Sequence, residues 1–366
     1  MHLKKLFLKN FRNFADLSLE INGSRNIFAG PNGSGKTNIL EAIHLLCTAR
    51  SQRNASRNEM IRFHSCSSQI YGEFEEENEE QERKRFSIVF DRQNGMSLKI
   101  NERKISTISE WFGIQPIVSF AADDIELVYG NPEIRRRFLD MFISLTDKMY
   151  LQALFEYRKN LLSRNKLLKT GIDEALCDIY EKNMADAAKN IIDKRTEACV
   201  ELNRIGREMY GKISGKKDDF SLVYKPNFSD DISSKNSWEK VFYTMLTETR
   251  KRDQLFGFSS CGPHRDDLLI FMNEKAAKNF ASQGQCRSIA VSLKLSSMEC
   301  IEKKANNSML LIFDDAVADL DRERAARLFS LIENRGQLFM ASPQKNTNIL
   351  ADAHEYVIRE GRLMQA

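Results

Sequence analysis

Eight consecutive residues, Gly30, Pro31, Asn32, Gly33, Ser34, Gly35, Lys36 and Thr37, satisfy the spacing G-x-x-x-x-G-K-[ST]. Glycines at those positions let backbone N–H groups converge on phosphate oxygens. The lysine neutralises β- and γ-phosphate charge, and the Thr37 hydroxyl can ligate Mg²⁺. Asn38 follows directly and joins the candidate nucleotide-binding set. Far downstream the apolar run Met309, Leu310, Leu311, Ile312, Phe313 ends in Asp314 and Asp315. A carboxylate at the carboxyl end of a buried strand is where a strand–loop–helix phosphate site holds its magnesium. Asp314 is therefore the metal-side group with Thr37, and Asp315 the candidate for activating water. Lys36, Asp314 and Asp315 make up the expected catalytic set, with ATP and Mg²⁺ as cofactors. Between the two segments lie Ser282, Gln283, Gly284 and Gln285, followed by Ile289, Ala290, Leu293 and Leu295 at helical spacing. Small residues at a helix start present free N–H groups to an anion, so Ser282, Gly284 and Gln285 are further phosphate candidates.

These groups need a scaffold, and the apolar pattern supplies one. Leu3, Leu6, Leu8 and then Leu17, Leu19, Ile21 flank a turn at Asn10 to Asn13, and Ile27, Phe28, Ala29 run as a strand into the glycine-rich loop. Ile39, Leu40, Ala42, Ile43, Leu45 and Leu46 then recur at helical spacing. Residues 70–120 read as β-rich, with a hairpin at Arg92, Gln93, Asn94, Gly95 and an acidic run from Glu73 to Glu82 read as a solvated tip. From Asn131 and Pro132 the texture is helical, with Ile134, Phe138, Met141, Phe142 and Leu145 on one stripe. A continuous helix from Asp173 to Tyr210 would be ~57 Å long at 1.5 Å per residue, an arm rather than a long coiled coil. The expected fold class is α/β with an inserted helical arm: residues 1–124 and 251–366 form the head, and residues 125–250 form the arm.

Composition bounds the rest. Lys and Arg total 55 against 51 Asp and Glu, a net charge of +4, so any nucleic-acid surface must be a local patch. Seven scattered cysteines without a C-x-x-C pair argue against a disulfide framework or zinc site. No stretch approaches the ~20 apolar residues that span a bilayer, so the expectation is a cytoplasmic protein with no membrane partner.

The order of residues 30–37, residues 282–285, Leu311 to Asp315, and Asp319, Leu320, Asp321 resembles the Walker A, signature, Walker B and D-loop of ABC ATPases. A closer resemblance is to the RecF family of SMC-like ATPases. It rests on LFLKNFRNF from Leu6, GPNGSGKTNILEA from Gly30, Phe120 to Gly130 with EIRRRFLD from Glu133, GPHRDDL from Gly262, Ser282 to Leu295, and Phe313 to Asp321. That resemblance implies an ABC-type head, ATP-dependent homodimerisation and weak ATPase activity. It also implies DNA binding at single-strand/double-strand junctions or gaps, and recombinase loading with RecO- and RecR-like mediators. In the dimer, residues 282–285 of one copy would meet the γ-phosphate held by the other. Asp315 stands where transporters carry Glu, and Met340, Ala341, Ser342 where they carry a switch His, which implies slow hydrolysis. Phe120, Ala121, Ala122, Asp123, Asp124 replaces the family's F-S-P-E-D, leaving Asp123 or Asp124 to sense the metal. The DNA candidates are Arg135, Arg136, Arg137, Arg158 and Lys159, with Arg164, Lys166 and Lys169 beside them. Arg12 resembles an arginine that contacts nucleotide or DNA, and His264 is either a structural hydrogen-bonding group or a functional one. A DNA nuclease or motor is the rival enzyme reading, but neither a metal-binding nuclease cluster nor helicase motifs are visible. A transporter ATPase subunit is disfavoured by the missing Glu and His.

Overall fold

The spacing Leu3, Leu6, Leu8 is uneven for a strand because the ladder slips between Leu3 and Lys5, a bulge that returns the apolar side chains to one face. In the computed structural model the strands are β1 (His2–Phe11), β2 (Phe14–Glu20), β3 (Arg25–Ala29), β4 (Ser67–Glu75), β5 (Arg83–Asp91), β6 (Gly95–Ile100), β7 (Arg103–Ile105) and β8 (Ile117–Ala121). They continue as β9 (Phe220–Lys225), β10 (Asp267–Met272), β11 (Lys275–Ala276), β12 (Leu310–Asp314), β13 (Gln337–Ser342), β14 (His354–Arg359) and β15 (Arg362–Met364). The main helices are α1 (Lys36–Thr48), α2 (Pro132–Thr146), α3 (Lys148–Thr170), α4 (Glu174–Ser214), α5 (Trp238–Phe256), α6 (Gln283–Lys304) and α7 (Arg322–Ile332). The structure describes residues 1–53, 55–76, 82–171, 173–215, 218–228, 238–305, 308–316, 320–343 and 352–364. Among them, no helix is long and apolar enough to cross a membrane.

The chain divides into two compact units, residues 1–124 with 301–366, and residues 125–300. The first unit has an antiparallel sheet in the order β2-β1-β4-β5-β6-β7 and a second sheet in the order β15-β14-β3-β13-β12-β8. Strands β14, β3, β13, β12 and β8 of the second sheet run parallel; the apolar runs of β3, β13 and β12 suit burial on both faces, whereas β14 (HEYVIR) is more exposed. One core joins both sheets and the inner face of α1: Leu6, Leu8, Ile39, Ile43, Leu46, Ile70, Ile312 and Phe339 are all members. Each such side chain contributes about 1.5–3 kcal/mol by leaving water. The buried Gln337 amide bridges Leu3 and Gly23, accepting from Leu3 N at 2.7 Å and donating to Leu3 O and Gly23 O at 3.0 Å each.

The second unit is built on α2 to α6 and a small sheet, β11-β10-β9. Helix α4 runs unbroken for 41 residues, about 62 Å at 1.5 Å per residue. Asp173 caps its start by accepting from Leu176 N, and Gly215 (φ 65°) ends it. Residues 251–300 fall in this unit, so its boundary lies later than the expected 250. The reason is strand pairing: β10 is in register with β9 from Asp267↔Lys225 to Met272↔Phe220, a partner 42 to 52 residues back that local texture does not reveal. Part of the acidic run, residues 77–81, lies outside the described residues. Its described start is ion-paired rather than freely solvated, with Glu73 meeting Arg83 and Arg85 across the hairpin.

Candidate nucleotide-binding site

Strand β3 lies between β13 and β14 and delivers the chain at Gly30 into a turn that ends at the first residue of α1. Two glycines are required by space as well as by φ. A Cβ on Gly30 would stand 2.2 Å from Ile358 O, and one on Gly35 (φ 115°) 2.7 Å from Asn13 Nδ2 and Phe14 Cζ. The turn at residues 10–14 clamps the loop: Asn13 Nδ2 donates to Ser34 O at 3.1 Å, and Asn38 Nδ2 donates to Asn13 Oδ1 at 2.7 Å. No side chain caps α1 and its first turn holds no acid; Gly30 N and Ser34 N donate to Ser342 O and Pro31 O, and the N–H groups at the start of α1 are left for an anion.

Lys36 is 6% exposed, and its ammonium donates to Gly30 O at 2.8 Å and Pro31 O at 3.0 Å. Burial pushes its pKa down, and the nearby Asp315 and Asp314 oppose that. Two carbonyl dipoles neutralise a cation only partly, and phosphate is the stronger partner. The buried Ser34 hydroxyl oxygen has no hydrogen-bond partner, a second polar group waiting for one. The loop opens into a cleft of about 650 Å³ lined by residues 30–34, Pro343, Val357, Arg359 and Glu360.

Opposite the loop, Asp314 ends β12 and accepts from Thr37 Oγ1 at 2.9 Å. Burial raises the Asp314 pKa, Thr37 lowers it, and Asp315 adds to the rise. Two hard oxygens at this spacing fit Mg²⁺, which takes one or two protein ligands and fills its octahedron with phosphate and water. Asp315 adopts a left-handed backbone (φ 53°) and forms an isolated bridge with Ala121. Ala121 N also donates to Asp124 Oδ2 at 2.8 Å, so one Asp124 oxygen caps the chain after β8. Asp123 is close enough to raise the Asp314 pKa.

Residues 2–362 match the model of the RecF/RecN/SMC N terminal domain. The DNA replication and repair protein RecF of Halalkalibacterium halodurans is 33% identical over 377 positions, covering 99% of both chains. That of Geotalea uraniireducens is 31% identical over 368 positions, covering 100% of both. The chain belongs to the RecF family. The solved structure of the recombination mediator protein RecF-ATP in the RecFOR pathway is similar at a TM-score of 0.90 and 28% identity, covering 100% of this chain and 97% of that one. The RecF-ATPrS structure gives 0.88 at 28% identity, covering 99% and 97%. An Smc head bound to the C-winged helix domain of ScpA shares the fold at 0.57 and 16% identity. The ABC-type ATPase head expected from the motifs is thereby shown.

The other residues singled out by the RecF-family motifs fall into different settings. Ser282 and Gln285 form a reciprocal cap at the start of α6. Ser282 N donates to Gln285 Oε1 at 2.9 Å, and Gln285 N donates to Ser282 Oγ at 3.3 Å. Gln285 Nε2 also donates to Asp218 Oδ2 at 3.0 Å, while Ser282 and Gln283 stand exposed. Asp319 of the D-loop lies outside the described residues. Asp321 caps α7 by accepting from Arg324 N at 2.9 Å.

Several basic candidates are corrected. Arg135 is 6% exposed and forks onto Asp267 at 2.7 and 3.0 Å, so its charge is already matched inside the fold. Arg136 is half-buried and donates to Asp266 O at 2.6 Å, with burial lowering its pKa. Arg164 is fully buried between Glu181 and Asp253 at 2.9 Å each. Arg12 forks onto the buried Glu41 at 2.8 and 2.9 Å, pinning its turn to α1 rather than reaching for nucleotide or DNA. Arg137 is partly exposed and pairs with Glu133, and Arg158, Lys159, Lys166 and Lys169 face solvent. His264 is structural: its Nδ1 meets Tyr157 Oη at 2.7 Å, its Nε2 meets Ser259 O at 3.2 Å, and burial pushes its pKa down to about 4. Arg359 and Glu360 of the cleft carry no motif and were not anticipated.

Proposed function

We propose that this chain is an ATP-dependent DNA-binding protein of recombinational repair and replication, which self-associates around ATP and disengages after slow hydrolysis. The observation that carries the reading is the Thr37–Asp314 contact at 2.9 Å beside a buried ammonium held only by loop carbonyls. In this reading Lys36 leaves Gly30 O and Pro31 O for β/γ-phosphate oxygens, and the N–H groups of Gly33 and residues 35–38 take the rest. Thr37 and Asp314 hold Mg²⁺, which when bound neutralises phosphate charge. Asp315 orients water and receives its proton. Its short side chain, on a left-handed backbone, gives a slow reaction suited to a timed clamp.

Ser282, Gly284 and Gln285 of a second copy complete the γ-phosphate site, so ATP joins a homodimer. Exposure of the signature loop supports this, because the cap is accessible without unfolding. The named relatives, a recombination mediator protein of the RecFOR pathway among them, support a repair role with RecO- and RecR-like partners; in this reading the chain acts in the cytoplasm on DNA at single-strand/double-strand junctions and helps load recombinase there. Analytical ultracentrifugation with and without ATP tests the reading. Wild type is expected to dimerise with ATP, Lys36→Ala to stay monomeric, and Ser282→Arg to bind ATP yet stay monomeric. Equal self-association of wild type without nucleotide overturns it.

A further inference from the structure

Three exposed apolar side chains stand together where α5 ends: Leu255 is 87% exposed, Phe256 59% and Phe258 42%. The two rings stack on each other, with centroids 5.8 Å apart and planes 26° from parallel. The Arg265 guanidinium lies 5.0 Å over the Phe258 centroid and continues the stack as a cation on a π face. The rings are held rather than floppy. Gly257 (φ 71°) turns the chain between them, and Ser259 N and Oγ both donate to Asn165 Oδ1 of α3 at 2.8 Å. The same helix brings Lys169 alongside, its stem about 3 Å from where a Gly257 Cβ would be. Arg252 reaches the loop from α5, donating to Ser260 Oγ at 2.7 Å.

The charge around the rings is one-sided. Lys166, Lys169, Arg252 and Arg265 are all exposed, and among the described residues none of them has a carboxylate within ion-pair distance. The acid in the 252–260 stretch, Asp253, is fully buried on Arg164. The buried Arg135, Arg164 and Arg195 of the same unit, by contrast, each have carboxylate partners. An open π face on Phe256, backed by Phe258 and bordered by unmatched cations, suits a ligand offering flat rings on an anionic backbone. We propose that Phe256 and Phe258, flanked by Lys169, Arg252 and Arg265, form a stacking platform for single-stranded DNA. A base stacks on the open face of Phe256, and phosphates take the cations. An apolar protein segment would use the ring area but leave four cations unmatched.

The platform rests on the DNA-binding reading above and assigns it a place for the unpaired strand. Fluorescence anisotropy tests it with labelled oligo-dT and a labelled duplex across a salt series. The variants are Phe256→Ala/Phe258→Ala, Phe256→Leu/Phe258→Leu and Lys169→Ala, each checked by thermal melting. Both ring variants are expected to bind oligo-dT roughly 10-fold or more weakly, since base–aromatic stacking is worth about 1–3 kcal/mol per base. Duplex affinity should change little. The leucine pair keeps apolar area but removes the π faces, so retained oligo-dT affinity in that variant or in the alanine pair overturns the platform and leaves the face to a protein partner. Lys169→Ala should reduce the salt slope by about 0.7 for a single-strand phosphate contact. An unchanged slope counts against Lys169 as such a contact. Failure of the wild type to bind either DNA form defeats the underlying reading instead.

Discussion

Lys36 and Arg164 are both buried cations, 6% and 0% exposed, yet their surroundings are opposite. Lys36 has two carbonyl oxygens and an open cleft. Arg164 has Glu181, Asp253, the Ser259 hydroxyl and Leu246 O, all at 2.7–3.1 Å. Arg195 repeats the second pattern, reaching Asp140 at 2.9 Å, Asp266 at 3.3 Å and Pro263 O at 2.8 Å. Burial of a positive charge therefore does not mark a functional site. What marks one is a charge the fold leaves incompletely matched, because the missing partner is the ligand.

The contrast is easiest to break at Arg164. Arg164→Met should cost about 3–5 kcal/mol by stranding two buried carboxylates, measured by urea denaturation. A variant as stable as wild type would erase the distinction. Lys36→Ala should do the reverse, lowering ATP turnover by on the order of 100-fold while changing melting little. A large loss of stability would show that Lys36 is structural like Arg164.

Next comes His264, whose pKa is pushed down from 6.5 to about 4. Between those values the unfolded chain binds the proton that the folded ring refuses, so stability falls as pH drops through that window and levels off below it. The loss is up to ~3 kcal/mol, from 1.36 kcal/mol per unit. His264→Gln should flatten the stability profile between pH 7 and 4, and an unchanged slope would place the titration elsewhere. The smallest effects belong to the solvent-facing pair. Arg158→Ala and Lys159→Ala should each alter stability by less than about 0.5 kcal/mol. If these side chains contact phosphate, each should also weaken DNA binding a few-fold at low salt, and equal affinity at all salt concentrations would remove them from the interface.

How much of this was legible in the sequence follows from where each partner lies along the chain. Lys36 and Thr37 were readable because their loop is local, with glycines, strand and helix within about fifteen residues. Asp314 was readable because an apolar strand ends on it. Arg135, Arg136 and Arg164 misled because their partners, Asp267, Asp266 and Glu181 with Asp253, sit 17 to 132 residues away. An arginine on a helix looks the same in sequence whether it meets solvent or a buried acid. The boundary at 300 was hidden likewise, since β9 and β10 find each other across α5. Arg12 stands out in the sequence only by resemblance to an arginine that contacts nucleotide or DNA, and its partner Glu41 is an acid on the apolar face of α1 that periodicity alone does not single out.

The strand β14 beside β3 has a consequence for how the molecule is made. Ile358 O is the atom that excludes a side chain at Gly30, Gly361 N donates to Ser34 O at 3.1 Å, and Tyr356 Oη donates to Glu20 O across 336 residues. A nascent polypeptide thus carries its phosphate loop half-walled while more than 300 further residues are made before the other wall arrives. A chain lacking residues 354–364 should be unable to retain nucleotide, which equilibrium binding of a labelled ATP analogue would check.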